Sequence, residues 1–164
     1  MATNGAVDED TGGMIVGSFA KNTREAICVG VSEWKGRTLI FVRTFAQALE
    51  GDVLVPTREG VSLAASLYPD LLAGVRALGE VMGSDKVVAR ICKNERQEVR
   101  VGFNTYKGNP LIYIRTFSLF KGSEEWSPTR QGVTMRVDLY PHLLEAVEKL
   151  GEALSESQGG GDSS

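Results

Sequence analysis

The chain has 164 residues, of which 42% are hydrophobic and 24% are charged, as in a soluble globular protein. No apolar run approaches the ~20 residues that span a bilayer, and the first residues lack the basic start and apolar stretch of a signal peptide, so we expect an intracellular protein. The net charge of −3 is unusual for a nucleic-acid binder, but five acids lie in residues 1–13 and 155–164, and the remainder carries 18 basic and 16 acidic side chains.

A repeat at a constant offset of 72 residues organises the chain. Residues 14–82 align with residues 86–154 without a gap, and 27 of the 69 paired positions are identical. We therefore predict two copies of one domain, joined by a linker at residues 83–85. The ends, residues 1–13 and 155–164, are rich in glycine, serine and acids, so we expect both to be disordered tails.

Each copy begins with an apolar stretch, residues 14–20 or 87–92, followed by a polar turn. The next segment alternates with a period of two, which predicts a strand. A Lys-Gly pair then predicts a tight hairpin into a further strand. In the first copy, the residues predicted to face the core from these two strands are Ile27, Val29, Val31, Ile40 and Val42.

The second half of each copy starts with a loop that differs between the copies. A Pro-Thr-Arg motif follows and leads into a short predicted strand, residues 60–64 or 132–137. Leucine and valine then recur at helical spacing, at Leu67, Leu71, Val75 and Leu78, and again at Leu139, Leu143, Val147 and Leu150. Strands followed by one helix, twice over, predict an α+β fold in which the helix covers one face of an antiparallel sheet.

The uncovered face of each predicted sheet carries aromatic rings and arginines. In the first copy these are Trp34, Arg37, Phe41, Arg43 and Phe45, beside Gly30; in the second they are Arg100, Tyr106, Tyr113, Arg115 and Phe117, beside Gly102. Rings can stack on unpaired bases and guanidinium groups can hold phosphates, and a glycine in a strand lets a ligand or a second backbone come close. The same face would also suit a protein-binding or assembly surface.

The order of the motifs resembles a known family. Both copies contain an aromatic-Lys-Gly hairpin, a Leu-Ile-x-(Val/Ile)-Arg-x-Phe strand, a variable loop, Pro-Thr-Arg-x-Gly-Val and a leucine-bearing helix. Over residues 14–82 and 86–154 this series is similar to the C-terminal domain of positive cofactor four, a family of transcriptional coactivators. The resemblance implies a curved four-stranded antiparallel sheet followed by one helix in each copy. It also implies that two sheets pair to bind single-stranded DNA, so we expect the copies to form a pseudo-dimer within one chain.

The resemblance also implies a set of binding residues. In the first copy they are Trp34, Lys35, Arg37, Arg43 and Arg58. In the second copy they are Tyr106, Lys107, Arg115 and Arg130, to which Trp126 could add a ring. Ala46 and Ser118 stand where the family often has tryptophan, and Glu59 and Gln131 stand where it often has lysine. We therefore expect weaker binding than is usual in the family, particularly in the first copy.

We expect a non-enzymatic protein that binds single-stranded DNA with low sequence specificity, in transcription regulation or single-strand protection. The sequence contains neither a GxxxxGK[ST] motif nor a nucleophile elbow. Cys28, Cys92 and His142 lack the spacing of metal ligands. The sequence therefore predicts no catalytic residue, cofactor or metal.

Several alternatives stay open at this point. The aromatic face could instead be a protein-interaction or assembly module that contacts transcription or repair proteins. Single-stranded RNA could replace DNA, because a stacking platform needs no reader of the 2′-hydroxyl. Two chains could also pair further as a homodimer. The compartment would be the nucleus in a eukaryote and the cytoplasm or nucleoid in a bacterium.

Overall fold

The computed structural model describes residues 7–8, 13–48, 51, 53–81 and 85–162. The first repeat contains the strands β1 (Val7–Asp8), β2 (Gly13–Ala20), β3 (Glu25–Trp34), β4 (Arg37–Gln47) and β5 (Leu54–Ala64), a 3-10 turn (Ala65–Leu67) and the helix α1 (Tyr68–Leu78). The second repeat contains β6 (Lys86–Asn94), β7 (Gln97–Tyr106), β8 (Asn109–Leu119) and β9 (Trp126–Arg136), a 3-10 turn (Val137–Leu139) and α2 (Tyr140–Asp162).

Each repeat forms its own antiparallel sheet, with the strands in sequence order. The predicted α+β fold, two four-stranded antiparallel sheets each followed by a helix, is confirmed; β1 adds a short fifth strand to the first sheet. The predicted hairpin turns are present, and both residues of the first turn have positive φ, Lys35 at 51° and Gly36 at 76°. Two positive φ values in a two-residue turn match the twist of the flanking strands, so β3 pairs with β4 from Trp34 and Arg37 onward.

A register shift bends both sheets at equivalent places. Arg43 pairs with Gly60, but Phe45 pairs with Pro56, so β5 contains additional residues opposite β4. The second sheet shows the same shift between Arg115 and Phe117. Such bulges increase the local twist and curvature of a sheet. Because the bulge keeps the Pro-Thr-Arg segment in the strand, β5 and β9 start earlier than the predicted residues 60 and 132.

The two repeats share one hydrophobic core, because each helix packs on the sheet of the other repeat. The helix α1 lies on β6, and α2 lies on β2. The approach is close at small residues: a Cβ at Gly17 would lie 3.2 Å from Ala146 Cβ, and a Cβ at Gly74 would lie 2.9 Å from Ala89 Cβ. This exchange of helices confirms the predicted pseudo-dimer within a single chain.

A reciprocal pair of hydrogen bonds joins the helices. The Tyr68 hydroxyl donates to the Val147 carbonyl at 2.7 Å, and the Tyr140 hydroxyl donates to the Val75 carbonyl at 2.8 Å. Burial raises the pKa of both phenols above the ordinary value. Because the same bond occurs in both directions, the two halves are related by an approximate twofold arrangement.

The predicted inward residues of the sheets and helices are confirmed, since all but the half-buried Val31 and Leu67 are buried in the shared core. Parts of the predicted tails belong to the described residues. Residues 7–8 and 13 lie in strands, and residues 155–162 continue α2, in which no proline interrupts the helix. The rest of residues 1–12, residues 83–84 of the linker and residues 163–164 lie outside the described residues. Within the described part of the chain, neither helix has the length and hydropathy of a membrane span.

Candidate nucleic-acid interface

The hairpin tips carry the most exposed rings of the predicted binding set. Trp34 and Tyr106 are 56% and 61% exposed, at the ends of β3 and β7. The Lys35 ammonium lies 4.6 Å from the centre of the Trp34 ring, and the Lys107 ammonium lies 5.3 Å from the centre of the Tyr106 ring. A cation held against a ring gives each tip a stacking surface and a positive charge in the same place.

A groove of about 450 Å³ crosses the outer face of the first sheet, on the side away from the shared core. Its lining residues are Ser32, Glu33, Trp34, Leu39, Phe41, Arg43, Pro56, Thr57, Arg58 and Ser62. Of the site residues predicted in the first copy, Trp34, Phe41, Arg43 and Arg58 line this groove, and Lys35 lies beside it at the hairpin tip. The groove therefore brings together the hairpin ring, the strand arginine and the exposed loop arginine that the sequence placed far apart.

The second sheet has an equivalent groove of about 690 Å³. Its lining residues are Lys86, Val87, Phe103, Asn104, Tyr113, Arg115, Phe117, Pro128, Thr129 and Arg130. The strand arginine and the loop arginine again lie together. Trp126 is half-buried, opposite Leu119 at the start of β9, and does not line this groove.

The strand arginines support the bulge that shapes each groove. Arg43 Nη1 donates to the Thr57 carbonyl at 2.8 Å, and Arg115 Nη1 donates to the Thr129 carbonyl at 2.8 Å. The Thr57 and Thr129 hydroxyls in turn donate to the carbonyls of Thr44 and Thr116, each at 2.8 Å. Both strand arginines are half-buried. Because each is bonded to the residue before Arg58 or Arg130, it fixes the backbone that places that arginine at the groove edge.

Three of the predicted stacking rings do not stand free on the surface. Phe41, Phe45 and Tyr113 are only 2%, 4% and 8% exposed, because neighbouring side chains on the curved face cover them. Phe41 and Phe45 form a small cluster with Cys28 and Ile15. These three rings therefore present little open face to a base, although Phe41 and Tyr113 line the two grooves.

The strand glycines let a second backbone come close, which is one of the two uses that the sequence predicted. A Cβ at Gly30 would lie 2.6 Å from Phe41 Cζ, and a Cβ at Gly102 would lie 2.9 Å from the Tyr113 hydroxyl. The backbones of Met14 and Lys86 approach the same glycines from the neighbouring strands. The space above each glycine is therefore filled by a ring of the chain itself rather than left for a ligand.

The outer face of the second repeat contains an ionic cluster that the sequence reasoning missed. The buried Glu98 carboxylate accepts a hydrogen bond from Arg100 Nε and lies 3.8 Å from Arg90 Nε. The Arg100 guanidinium also lies over the Phe117 ring, 4.1 Å from its centre. Arg100 is thus held flat on the face. The available signal was an acid and an arginine two residues apart on one strand face, where the first copy has Ala26 and Cys28.

The remaining polar residues form no metal-binding group in the described part of the chain. No three His, Cys, Asp or Glu side chains there are placed to hold a metal ion. The His142 ring stacks on Phe19 with ring centres 6.0 Å apart. Arg37 does not line the first groove but an adjoining pocket, together with Lys93. Burial raises the pKa of the Tyr113 phenol above its ordinary value.

The family model of the transcriptional coactivator p15 (PC4) matches this chain twice, at residues 21–74 and 93–146. No curated protein sequence matches the chain significantly. Among solved structures, a PC4 homologue from Burkholderia pseudomallei matches in two crystal forms at 25% identity, with TM-scores of 0.36 and 0.35. Each match covers 44% of this chain and 98% or 90% of the homologue.

The bacteriophage T5 homologue of the eukaryotic coactivator PC4, which is implicated in recombination-dependent DNA replication, also matches at 25% identity. That match covers 47% of this chain and 84% of the phage protein, with a TM-score of 0.38. Because these scores are low, the assignment rests on the two family matches, which together span well over half of the sequence. The chain belongs to the PC4 family of transcriptional coactivators and carries two tandem copies of its DNA-binding domain.

Proposed function

We propose that the protein binds single-stranded DNA without catalysis and with low sequence specificity, in transcription regulation or in the protection of exposed single strands. The observation that carries the proposal is the repeated groove: each sheet has one, and each groove brings a strand arginine and an exposed loop arginine to a ring-lined floor. Guanidinium groups favour phosphates, and rings tolerate any base.

The arrangement of the two sheets favours a ligand that contacts both. Strands β5 and β9, which carry the loop arginines Arg58 and Arg130, pack against each other where the sheets meet. Because one chain contributes both sheets, neither half has to find a partner, and the second half binds at high effective concentration once the first is engaged. We propose one composite site on a monomeric chain, with contacts to transcription or repair proteins as a secondary role.

A protein-interaction module is the principal alternative, and single-stranded RNA is the other. The exposed Trp34 and Tyr106 rings would suit either. The arginines favour an anionic ligand, because guanidinium groups beside aromatic rings can hold the phosphates of a single strand.

A fluorescence-anisotropy titration tests the proposal. The chain is titrated against a labelled single strand of about 20 nucleotides, the matching duplex and the RNA equivalent, between about 50 mM and about 200 mM salt. We expect the single strand to bind more tightly than the duplex, with an affinity that falls as salt rises. Absence of binding to all three at low salt would overturn the proposal and leave the aromatic surface to a protein partner.

A further inference from the structure

A pocket of about 580 Å³ lies between the Trp34 hairpin of the first repeat and the β6–β7 turn of the second. Its polar lining includes two cations and two amides, Arg37, Lys93, Asn94 and Gln97, together with the Ser62 hydroxyl. Lys93 is half-buried and Arg37 is exposed, and among the described residues neither forms an ion pair with a carboxylate. Burial without a counter-charge lowers the pKa of the Lys93 ammonium.

The equivalent position at the other end of the pseudo-dimer is neutralised. Lys21, the counterpart of Lys93, lies 3.9 Å from Glu25. Gln97 stands in place of that glutamate in the second repeat. The local geometry is otherwise the same: Asn22 Nδ2 donates to Glu25 Oε1 at 2.8 Å, and Asn94 Nδ2 donates to Gln97 Oε1 at 3.3 Å.

A second difference between the two ends also adds positive charge to this pocket. Arg37 is cationic, whereas its counterpart in the second repeat is Asn109. Near that other end, Arg136 is already paired with Asp138, at 3.1 Å. Among the described residues that line this pocket, there are therefore two cations and two amides but no acid.

The cationic pocket continues the groove of the first repeat. Trp34, Leu39 and Ser62 line both, so the Trp34 ring stands at the junction between them. A single strand that follows the first groove past this ring would bring its next phosphate close to the pocket. At the other end, an equivalent strand would meet the carboxylate of Glu25.

We propose that the pocket lined by Arg37, Lys93, Asn94 and Gln97 binds a phosphate group of the single strand where it leaves the groove of the first repeat. The inference rests on the proposed function. It makes the composite site asymmetric: one end holds an additional phosphate and the other does not.

Exchange of the two homologous side chains tests the proposal. Gln97→Glu places a carboxylate beside Lys93 while keeping an acceptor for Asn94, and Glu25→Gln is the matched variant at the other end. We expect Gln97→Glu to weaken single-strand binding about three- to tenfold and to reduce the salt slope by about 0.7, the contribution of one phosphate on a single strand. Glu25→Gln should strengthen binding and steepen the slope by a similar amount.

The outcomes separate this inference from the proposed function. If the wild-type chain binds the single strand and both variants bind with the same affinity and salt slope, the pocket assignment is overturned while the function stands. If the wild-type chain does not bind, both fail. If inorganic phosphate alone shifts the NMR signals of Trp34 and Lys93 in wild type but strand affinity is unchanged in Gln97→Glu, the pocket holds a free anion and the strand assignment is wrong.

Discussion

The two repeats bury nearly the same residues toward their shared core but differ on the outer faces of their sheets. In the first repeat the outer face is closed by an apolar cluster of Cys28, Phe41 and Phe45. In the second, Glu98 and Arg100 occupy the positions of Ala26 and Cys28, and the guanidinium lies over Phe117. At these positions the outer face is therefore apolar in the first repeat and ionic in the second, although the strands pair in the same register.

This difference follows from fusion of the two copies. In a homodimer each substitution appears in both subunits, so the two halves of a symmetric site must stay the same. In a tandem chain each position can change in one copy alone. The core positions are apolar in both copies, because each helix packs on the sheet of the opposite repeat. The outer faces lack that constraint, so an apolar cluster in one half can be replaced by an ionic cluster in the other.

The largest effect is expected where the repeats are equivalent. Leu71→Ala and Leu143→Ala remove fully buried helix side chains, so each should lower the free energy of unfolding by about 2–5 kcal/mol. Because both leucines lie in one shared core, urea unfolding should stay a single cooperative transition in both variants. The exposed Glu145→Ala is the control and should stay within about 0.5 kcal/mol of wild type. Two separate transitions would contradict the shared core.

The exposed rings should separate binding from folding. Trp34→Ala and Tyr106→Ala should each reduce single-strand affinity by about 1–3 kcal/mol, with Trp34 the larger because its ring is larger. Their stability should change little, since both tips are exposed. Phe45→Ala should do the reverse and destabilise the fold, because that ring is buried in the outer cluster. Anisotropy and thermal unfolding of the same three variants check this, and unchanged affinity in both tip variants would contradict it.

Replacing Arg58 or Arg130 should reduce single-strand affinity by unequal amounts in the two repeats, and by less than replacing the exposed rings. Arg130→Ala should weaken single-strand binding about three- to tenfold, and Arg58→Ala should weaken it less, because Glu59 beside Arg58 already repels a phosphate. Gln131 stands in the equivalent place in the second repeat. Glu59→Gln should then raise the affinity of the chain and enlarge the effect of Arg58→Ala. Equal effects of the two alanine variants, unchanged by Glu59→Gln, would count against the asymmetry.

The smallest effect is expected at the reciprocal tyrosines. Tyr68→Phe and Tyr140→Phe should each cost about 1 kcal/mol, because each removes one hydroxyl that donates to a carbonyl of the other helix. The folded-state pKa of both phenols is raised, so their contribution is complete below the unfolded value of 10.0 and is lost as pH rises through the folded value. Stability of wild type should therefore fall above pH 10.0 more steeply than that of the double variant. Identical dependence of stability on pH above 10.0 in wild type and the double variant would contradict a contribution of these hydroxyls to stability.

Sequence patterns predicted the elements of this fold because each depends on local chemistry. Period-two alternation identified Ile27 and Val29 as inward residues, and the Lys-Gly pairs identified both hairpins. The same alternation placed Phe41 and Phe45 on the outer face correctly but could not show that they are buried. That burial depends on the register shift between Arg43 and Phe45, which bends the sheet and brings the rings over Gly30 and Cys28.

The ionic features of the site were harder to predict for a related reason. Glu98 and Arg100 are adjacent on one strand face, but their meaning depends on Arg90 of the neighbouring strand and on Phe117 of the next. The pocket lined by Lys93 also has lining residues from the first repeat, so the sequence around Lys93 alone does not reveal it. Contacts between copies are not local in sequence, so the period of a single strand does not contain them.

The most direct test of the central claim, that one chain supplies both halves of one site for a single strand, is native mass spectrometry of the chain with a strand of about 20 nucleotides. The account predicts a free species at the mass of one chain, 17.7 kDa, and a complex of one chain with one strand. A free species at about twice that mass would contradict the monomeric pseudo-dimer, and absence of any complex at low salt would contradict the composite site.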